Sequence, residues 1–187
     1  MRYSIDLSRS SLQIFTSADG LLARLAHDLR LSVGAAAIDV VRDESEATVR
    51  AHVRIGALRV DGVMKDGALR EGVLSAHDRE EILNKMRAEV FGGKGDDALI
   101  ELEGSLRGDS LSGTLRSPNG RSARVNAKVT TVHDGAEAAP GEHVRGTFEV
   151  SLKELAGHDI KGPLGAFRVS DHVRVTFDAH FVPRVES

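Results

Sequence analysis

Over residues 47–55 the sequence alternates without a slip. Ala47, Val49, Ala51, Val53 and Ile55 are apolar, and Thr48, Arg50, His52 and Arg54 between them are polar. Successive side chains of a strand point to opposite faces, whereas a helix would spread the same pattern around its whole circumference. The stretch is therefore an antiparallel strand with one buried and one wet face. Its wet face is basic and reads as solvated surface rather than an anion site.

The same period returns along the chain. Tyr3, Ile5 and Leu7 alternate with Ser4 and Asp6, and the pattern restarts at Leu12, Ile14 and Thr16, predicting two short strands joined by the polar run Ser8-Arg9-Ser10-Ser11. Residues 21–26 suit either a helical turn or a bent strand. Leu29, Leu31 and Val33 then alternate with Arg30 and Ser32, and this strand runs on to Val40 before a charged break at residues 42–46. Downstream of Gly95-Asp96-Asp97, three alternating segments are separated by Gly108-Asp109 and Pro118-Asn119-Gly120, which predicts a three-stranded meander with hairpin turns. A polar loop at residues 134–142 leads to two last strands, one carrying Val144, Phe148 and Val150, the other Val173, Val175 and Phe177.

One segment breaks the period. Asp78 stands as an N-cap with Glu81 placed to complete a capping box, Ile82, Leu83, Met86 and Val90 form one stripe, and Gly92-Gly93 ends the run. This predicts one amphipathic helix over about 78–91 that covers an open end or seam.

About eight strands and one helix in a chain of 187 residues predict an all-β fold in one domain: an up-and-down antiparallel barrel of lipocalin-like architecture. A barrel is preferred to a sandwich because closure leaves no exposed sheet edge. An interior of about eight strands is either filled by side chains or wide enough for one small elongated ligand. The low aromatic content, 4% with no Trp, gives the interior little bulk per position. The expected wall consists of Leu29, Leu31 and Val33; Val49, Val53 and Ile55; Leu102 and Leu106; Val125 and Val129; Phe148 and Val150; Val175 and Phe177.

Charge is balanced, 25 Lys and Arg against 28 Asp and Glu, so there is no basic field for nucleic acid. The absence of cysteine removes thiolate chemistry and disulfides. No apolar run approaches the roughly 20 residues of a membrane-spanning helix, and the start lacks the pattern of a secretory signal, which predicts a cytoplasmic protein without an integral membrane segment.

Four of the eight histidines precede an aspartate: His27-Asp28, His77-Asp78, His133-Asp134 and His158-Asp159. Such pairs can serve metal or acid-base chemistry. In a β-rich chain they fall in turns and read as surface residues, so no catalytic residue, metal ligand or cofactor is assigned. His27 is the exception, since it stands where the entry segment becomes a strand and can face a barrel mouth. It belongs with the expected ligand-binding residues, and with Asp28 it is the center of the competing reading, a hydrolase-type, metal-dependent enzyme. A filled-core barrel serving as an interaction module is the third.

Several stretches, in order, resemble the YceI family. They are Tyr3-Ser4-Ile5-Asp6, residues 20–31 with Ala26-His27-Asp28, the Asp78 helix, and the meander from Glu103-Gly104-Ser105-Leu106 to Gly113-Thr114-Leu115. The most specific is the C-terminal block: Phe148-Glu149-Val150-Ser151-Leu152, Ile160-Lys161, Leu164-Gly165-Ala166-Phe167-Arg168-Val169, Asp171 and Val173-Arg174-Val175. The resemblance covers almost the whole chain. It implies a lipocalin-like barrel whose apolar tunnel takes a polyisoprenoid chain, that of a prenyl quinone or of an isoprenoid alcohol or phosphate. It also implies a non-enzymatic binding or transport role, often as a homodimer.

Overall fold

The computed structural model describes residues 1–19, 28–132, 141–161 and 168–184. The alternating segments form β1 (Arg2–Thr16), β2 (Ala18–Asp19), β3 (Asp28–Val33), β4 (Ala36–Arg42), β5 (Ala47–Arg54), β6 (Leu58–Lys65) and β7 (Ala68–Arg70), followed by the main helix, α1 (Ala76–Glu89). After it come β8 (Leu99–Arg107), β9 (Ser110–Arg116), β10 (Ser122–Val132), β11 (Glu142–Ser151), a short helix α2 (Leu152–Ala156), β12 (Arg168–Val169) and β13 (His172–Pro183). Neighboring strands pair antiparallel, and β13 returns to pair with β1. The sheet thus closes into an eight-stranded barrel, the architecture that the alternation predicts. β2 and β12 form a separate two-stranded ladder.

Eight staves arise from more than eight strands because two staves are broken. Residues 13–16 of β1 pair with β3 and residues 2–4 pair with β4, so β3 and β4 lie end to end along one neighbor. β5 and β6 follow them in turn, interrupted by a 3-10 turn at Ile55–Ala57. The strand expected over residues 29–40 is therefore one stave with a break at Gly34-Ala35, where Gly34 N–H donates to Ala57 O at 2.8 Å.

The N-terminal segment corrects the expectation of two strands joined by a turn, since β1 is continuous. Its polar run is instead a bulge: between Asp6↔His180 and Ser11↔Asp178, β1 advances five residues while β13 advances two. The extra residues satisfy their polar groups locally. Ser8 donates its N–H and hydroxyl to Asp6 Oδ1, Ser10 Oγ donates to Asp6 O, and His180 N–H donates to Ser10 Oγ. A polar run that hydrogen-bonds itself need not leave the ladder to find partners.

The helix also starts earlier than expected. Ser75 is the N-cap: its Oγ accepts from Asp78 N–H at 3.1 Å, while Asp78 Oδ2 accepts from Ser75 N–H at 2.8 Å. Ser75-x-x-Asp78 is itself a capping box and displaces the alternative in which Asp78 caps and Glu81 reaches back. Glu81 faces His77 one turn away at 3.5 Å. β8 pairs with β5 but not with β6, whose outer edge is taken by β7, and α1 packs on β6 beside that gap.

At the solid end of the barrel Ile55, Leu58, Val90, Phe91, Ala123, Val125, Val150, Leu155, Ile160 and Val173 form a buried cluster, with Leu83 and Met86 of α1 packed against it. All but Ile55, Ala123 and Val125 also line the cavity that the barrel holds. The β9–β10 turn latches the cluster: Asn119 Nδ2 donates to Val90 O at 2.8 Å and to Leu155 O at 2.7 Å, and Ser117 Oγ to Val90 O at 3.2 Å. One orphan carbonyl at the end of each helix is thereby satisfied. Among the described residues no helix is long and apolar enough to cross a membrane.

Candidate ligand-binding site

Above the solid end the barrel holds a cavity of about 1130 Å³. The wall residues come from every stave, because the inward half of each alternating strand faces it. Leu29, Leu31 and Val33 of β3, Val49 and Val53 of β5, Leu102 and Leu106 of β8, and Val129 of β10 line it. Phe148 and Val150 of β11 and Val175 and Phe177 of β13 complete the set expected from the sequence.

Two expected wall residues do not face the cavity. Ile55 and Val125, 1% and 0% exposed, are packed inside the solid end instead. Ile55 sits in the turn that breaks its stave, and Val125 lies below the cavity floor although Val129, on the same face of β10, lines it. His27 lies outside the described residues. Its neighbor Asp28 is exposed and accepts from Ala18 N–H at 3.4 Å.

Other wall residues were not anticipated. Tyr3, Leu12 and Ile14 of β1, Ile38 and Val40 of β4, and Ile82 and Met86 of α1 line the cavity too. In β1 the alternation marks both apolar sets but not which face is inward; those of β4 are hidden by a change of phase. In β1 the inward set passes from odd-numbered Tyr3 to even-numbered Leu12 and Ile14 across the bulge, and the odd-numbered set of β3 gives way to even-numbered Ile38 and Val40 across the Gly34 break. A one-residue slip moves every side chain to the other face.

Close approach of backbones keeps space inside. Gly104 and Gly113 are partners across β8 and β9, and a Cβ on Gly113 would fall 2.5 Å from Glu103 O. At Gly146 a Cβ would meet the Phe177 ring at 2.3 Å, so that ring lies against bare backbone.

Besides Thr16 and Ser17, at the end of β1, the polar and charged residues on the wall are gathered at two places. On α1 are Asp78, Glu81, Asn84 and Lys85; at the opposite end are Arg42, from the end of β4, and Glu142, from the start of β11. Arg42 and Glu142 form an ion pair through Arg42 Nη1 and Glu142 Oε1. β1 and β13 lie between their strands, so the pair spans two staves. The Arg42 Cζ lies 6.0 Å from the centroid of the Tyr3 ring on β1, one of the staves crossed.

A second polar cluster lies on the outer face of the same wall. His143 and His180 are cross-strand partners whose rings stack at 3.8 Å and 19°. His143 Nε2 is 2.5 Å from Asp178 Oδ1, and Arg145 Nε donates to Asp178 Oδ2 at 2.6 Å. Burial pushes the Asp178 carboxyl up, but the hydrogen bonds from His143 and Arg145, with their charge, outweigh it and hold it below the ordinary aspartate range. His180 is half-buried, and His143 is only 8% exposed.

One ligand atom from each of His143, Asp178 and His180 falls within 4.8 Å of the others. A single metal must lie in the plane of each imidazole that binds it, and two rings stacked nearly parallel cannot both meet that condition without turning. Arg145 also holds the second oxygen of Asp178. The cluster and the cavity are on opposite faces of the sheet, since Phe177, Ala179 and Phe181 line the cavity and Asp178 and His180 alternate with them. Among the described residues, the His-Asp pairs singled out in the sequence contribute nothing to it. Asp78 is in the capping box, His158 and Asp159 follow α2, and His133-Asp134 lies outside the described residues.

No protein-family model matches this chain, and no curated protein matches it. The reading of the site thus rests on its own geometry: a closed β-barrel around an apolar-walled cavity, with one polar pair across an end.

The basic face of β5 is neutralized across the ladder. Arg50 meets Glu103 at 3.4 Å, His52 meets Glu101 at 3.6 Å, and Arg116 of β9 closes on Glu103 at 3.0 Å. These pairs are exposed and contribute little to stability.

Proposed function

We propose that this protein is a non-enzymatic binding or carrier protein that holds one long apolar chain inside its barrel, with a polyisoprenoid as the cargo, in keeping with its resemblance to the YceI family. The observation that carries the reading is the cavity. It holds about 1130 Å³ of space behind a largely apolar wall. Water is a poor occupant of a wall made mostly of Leu, Val, Ile and Phe, because it needs two to four polar partners at each site. An apolar chain needs none, and each buried methylene contributes about 0.8 kcal/mol. The volume lies just above the usual range of ligand pockets, about 300–1,000 Å³, which suits a long chain.

The test is native mass spectrometry and solvent extraction of the purified protein. A bound lipid-like species, or tight uptake of a prenyl quinone or prenyl alcohol by stripped protein, is the expected result. Protein that yields no lipid and takes up neither compound would sink the proposal.

A further inference from the structure

We infer that the Arg42–Glu142 pair is a head-group site that selects an uncharged polar head and rejects phosphate and ammonium heads on the same chain. This deepens the carrier reading and rests on it. A chain that enters an apolar barrel leaves its polar end wherever polar wall groups can meet it, and the two polar regions of the wall are not equivalent.

On α1 the polar groups are engaged within their own element. Asp78 closes the capping box with Ser75, Glu81 faces His77, Asn84 Oδ1 accepts from Arg87 at 2.9 Å, and Lys85 is paired with Glu89. Arg42 and Glu142 also line the cavity, but their pair bridges strands that are not neighbors. Their one hydrogen bond among the described residues joins Nη1 to Oε1. A guanidinium has five N–H groups and a carboxylate has two oxygens, so donors remain on Arg42 and an acceptor on Glu142 for a third group.

The charge of the pair then decides what that group is. A hydroxyl can accept from Arg42 and donate to Glu142, and a carbonyl can accept from Arg42, while neither disturbs the balance. A phosphate would gain from Arg42 but stand beside the Glu142 carboxylate, and an ammonium would meet the converse. The Arg42 and Glu142 side chains are 44% and 26% exposed, so water screens part of that repulsion. What is left disfavors a charged head by on the order of tenfold in affinity, about 1.4 kcal/mol.

Three probes with one chain separate the cases: geranylgeraniol, geranylgeranyl phosphate and geranylgeranylamine, titrated into lipid-stripped protein. The wild type should bind the alcohol at least about tenfold more tightly than either charged probe. Glu142→Gln should move the preference toward the phosphate and Arg42→Gln toward the amine, and circular dichroism spectra and melting transitions like those of the wild type report that both variants are folded. Phosphate bound as tightly as alcohol by the wild type, or variants that leave the ranking unchanged, overturns the head-group assignment while the carrier reading stands. Failure of all three probes to bind overturns both.

Discussion

Val125 and Val129 show how far the role of a residue depends on its depth. They share a strand and a face, yet Val125 is fully enclosed in the solid end and Val129 borders the cavity. Enlarging each to Phe should therefore have opposite consequences. Val125→Phe overpacks a filled site and should cost about 1–3 kcal/mol or more in urea unfolding. Val129→Phe grows into open volume, so it should cost under about 1.5 kcal/mol while sharply reducing uptake of a prenyl alcohol. Equal losses of stability would argue that the cavity is not available. Asp178 allows a second test at this scale. Its carboxyl is held below the ordinary value in the fold, so its contribution is complete above the ordinary aspartate range and is lost as pH falls through the folded value. The stability of the wild type should therefore fall more steeply below about pH 4 than that of Asp178→Asn. Parallel acid unfolding curves would remove the cluster from the account of stability.

Among the elements, α1 and the β9–β10 turn depend on each other. Asn119 ties the last turn of α1 and the end of α2 to one side chain. Truncating Asn119 to Ala leaves two carbonyls without that donor and should cost about 1–3 kcal/mol, with loss of amide protection concentrated in the last turn of α1. Ser75→Ala should cost about 1 kcal/mol by removing the N-cap, with fraying confined to the first turn. A uniform loss of protection in both variants would mean that the helix ends are not separately secured. The same elements show why local signals were only partly sufficient. Ser75-Ala76-His77-Asp78 and Asp78-Arg79-Glu80-Glu81 are both capping-box sequences, and the choice between them depends on where the preceding chain leaves β7.

For the whole molecule, closure between β1 and β13 joins the two ends of the chain across the barrel and encloses the cavity. If a chain occupies that cavity, folding and occupancy are linked: a ligand at 100 times its Kd adds about 2.7 kcal/mol. Extracting lipid should therefore lower Tm, and adding back a prenyl alcohol should restore it with a concentration dependence. A Tm that is indifferent to extraction and add-back would separate stability from occupancy.

The sequence by itself determined the class of fold, because the two-residue period is a property of the extended backbone and needs no partner to be read. It also marked Leu29, Leu31 and Val33, Val49 and Val53, and Phe148 and Val150 as one-faced sets, and the structure places them around the cavity. Only the tertiary structure decided the phase of each stave. The alternation marks Tyr3 and Leu12 as apolar positions of opposite parity, but only the self-satisfied bulge, in a strand that reads as two, brings both onto one cavity. Distance along the chain hid the rest. Arg42 and Glu142 are 100 residues apart, and His143 and His180 meet only through the β11–β13 register, so each pair exists because the sheet closes. Backbone geometry acts between neighbors and is written in the sequence. Closure acts between segments that the sequence keeps apart.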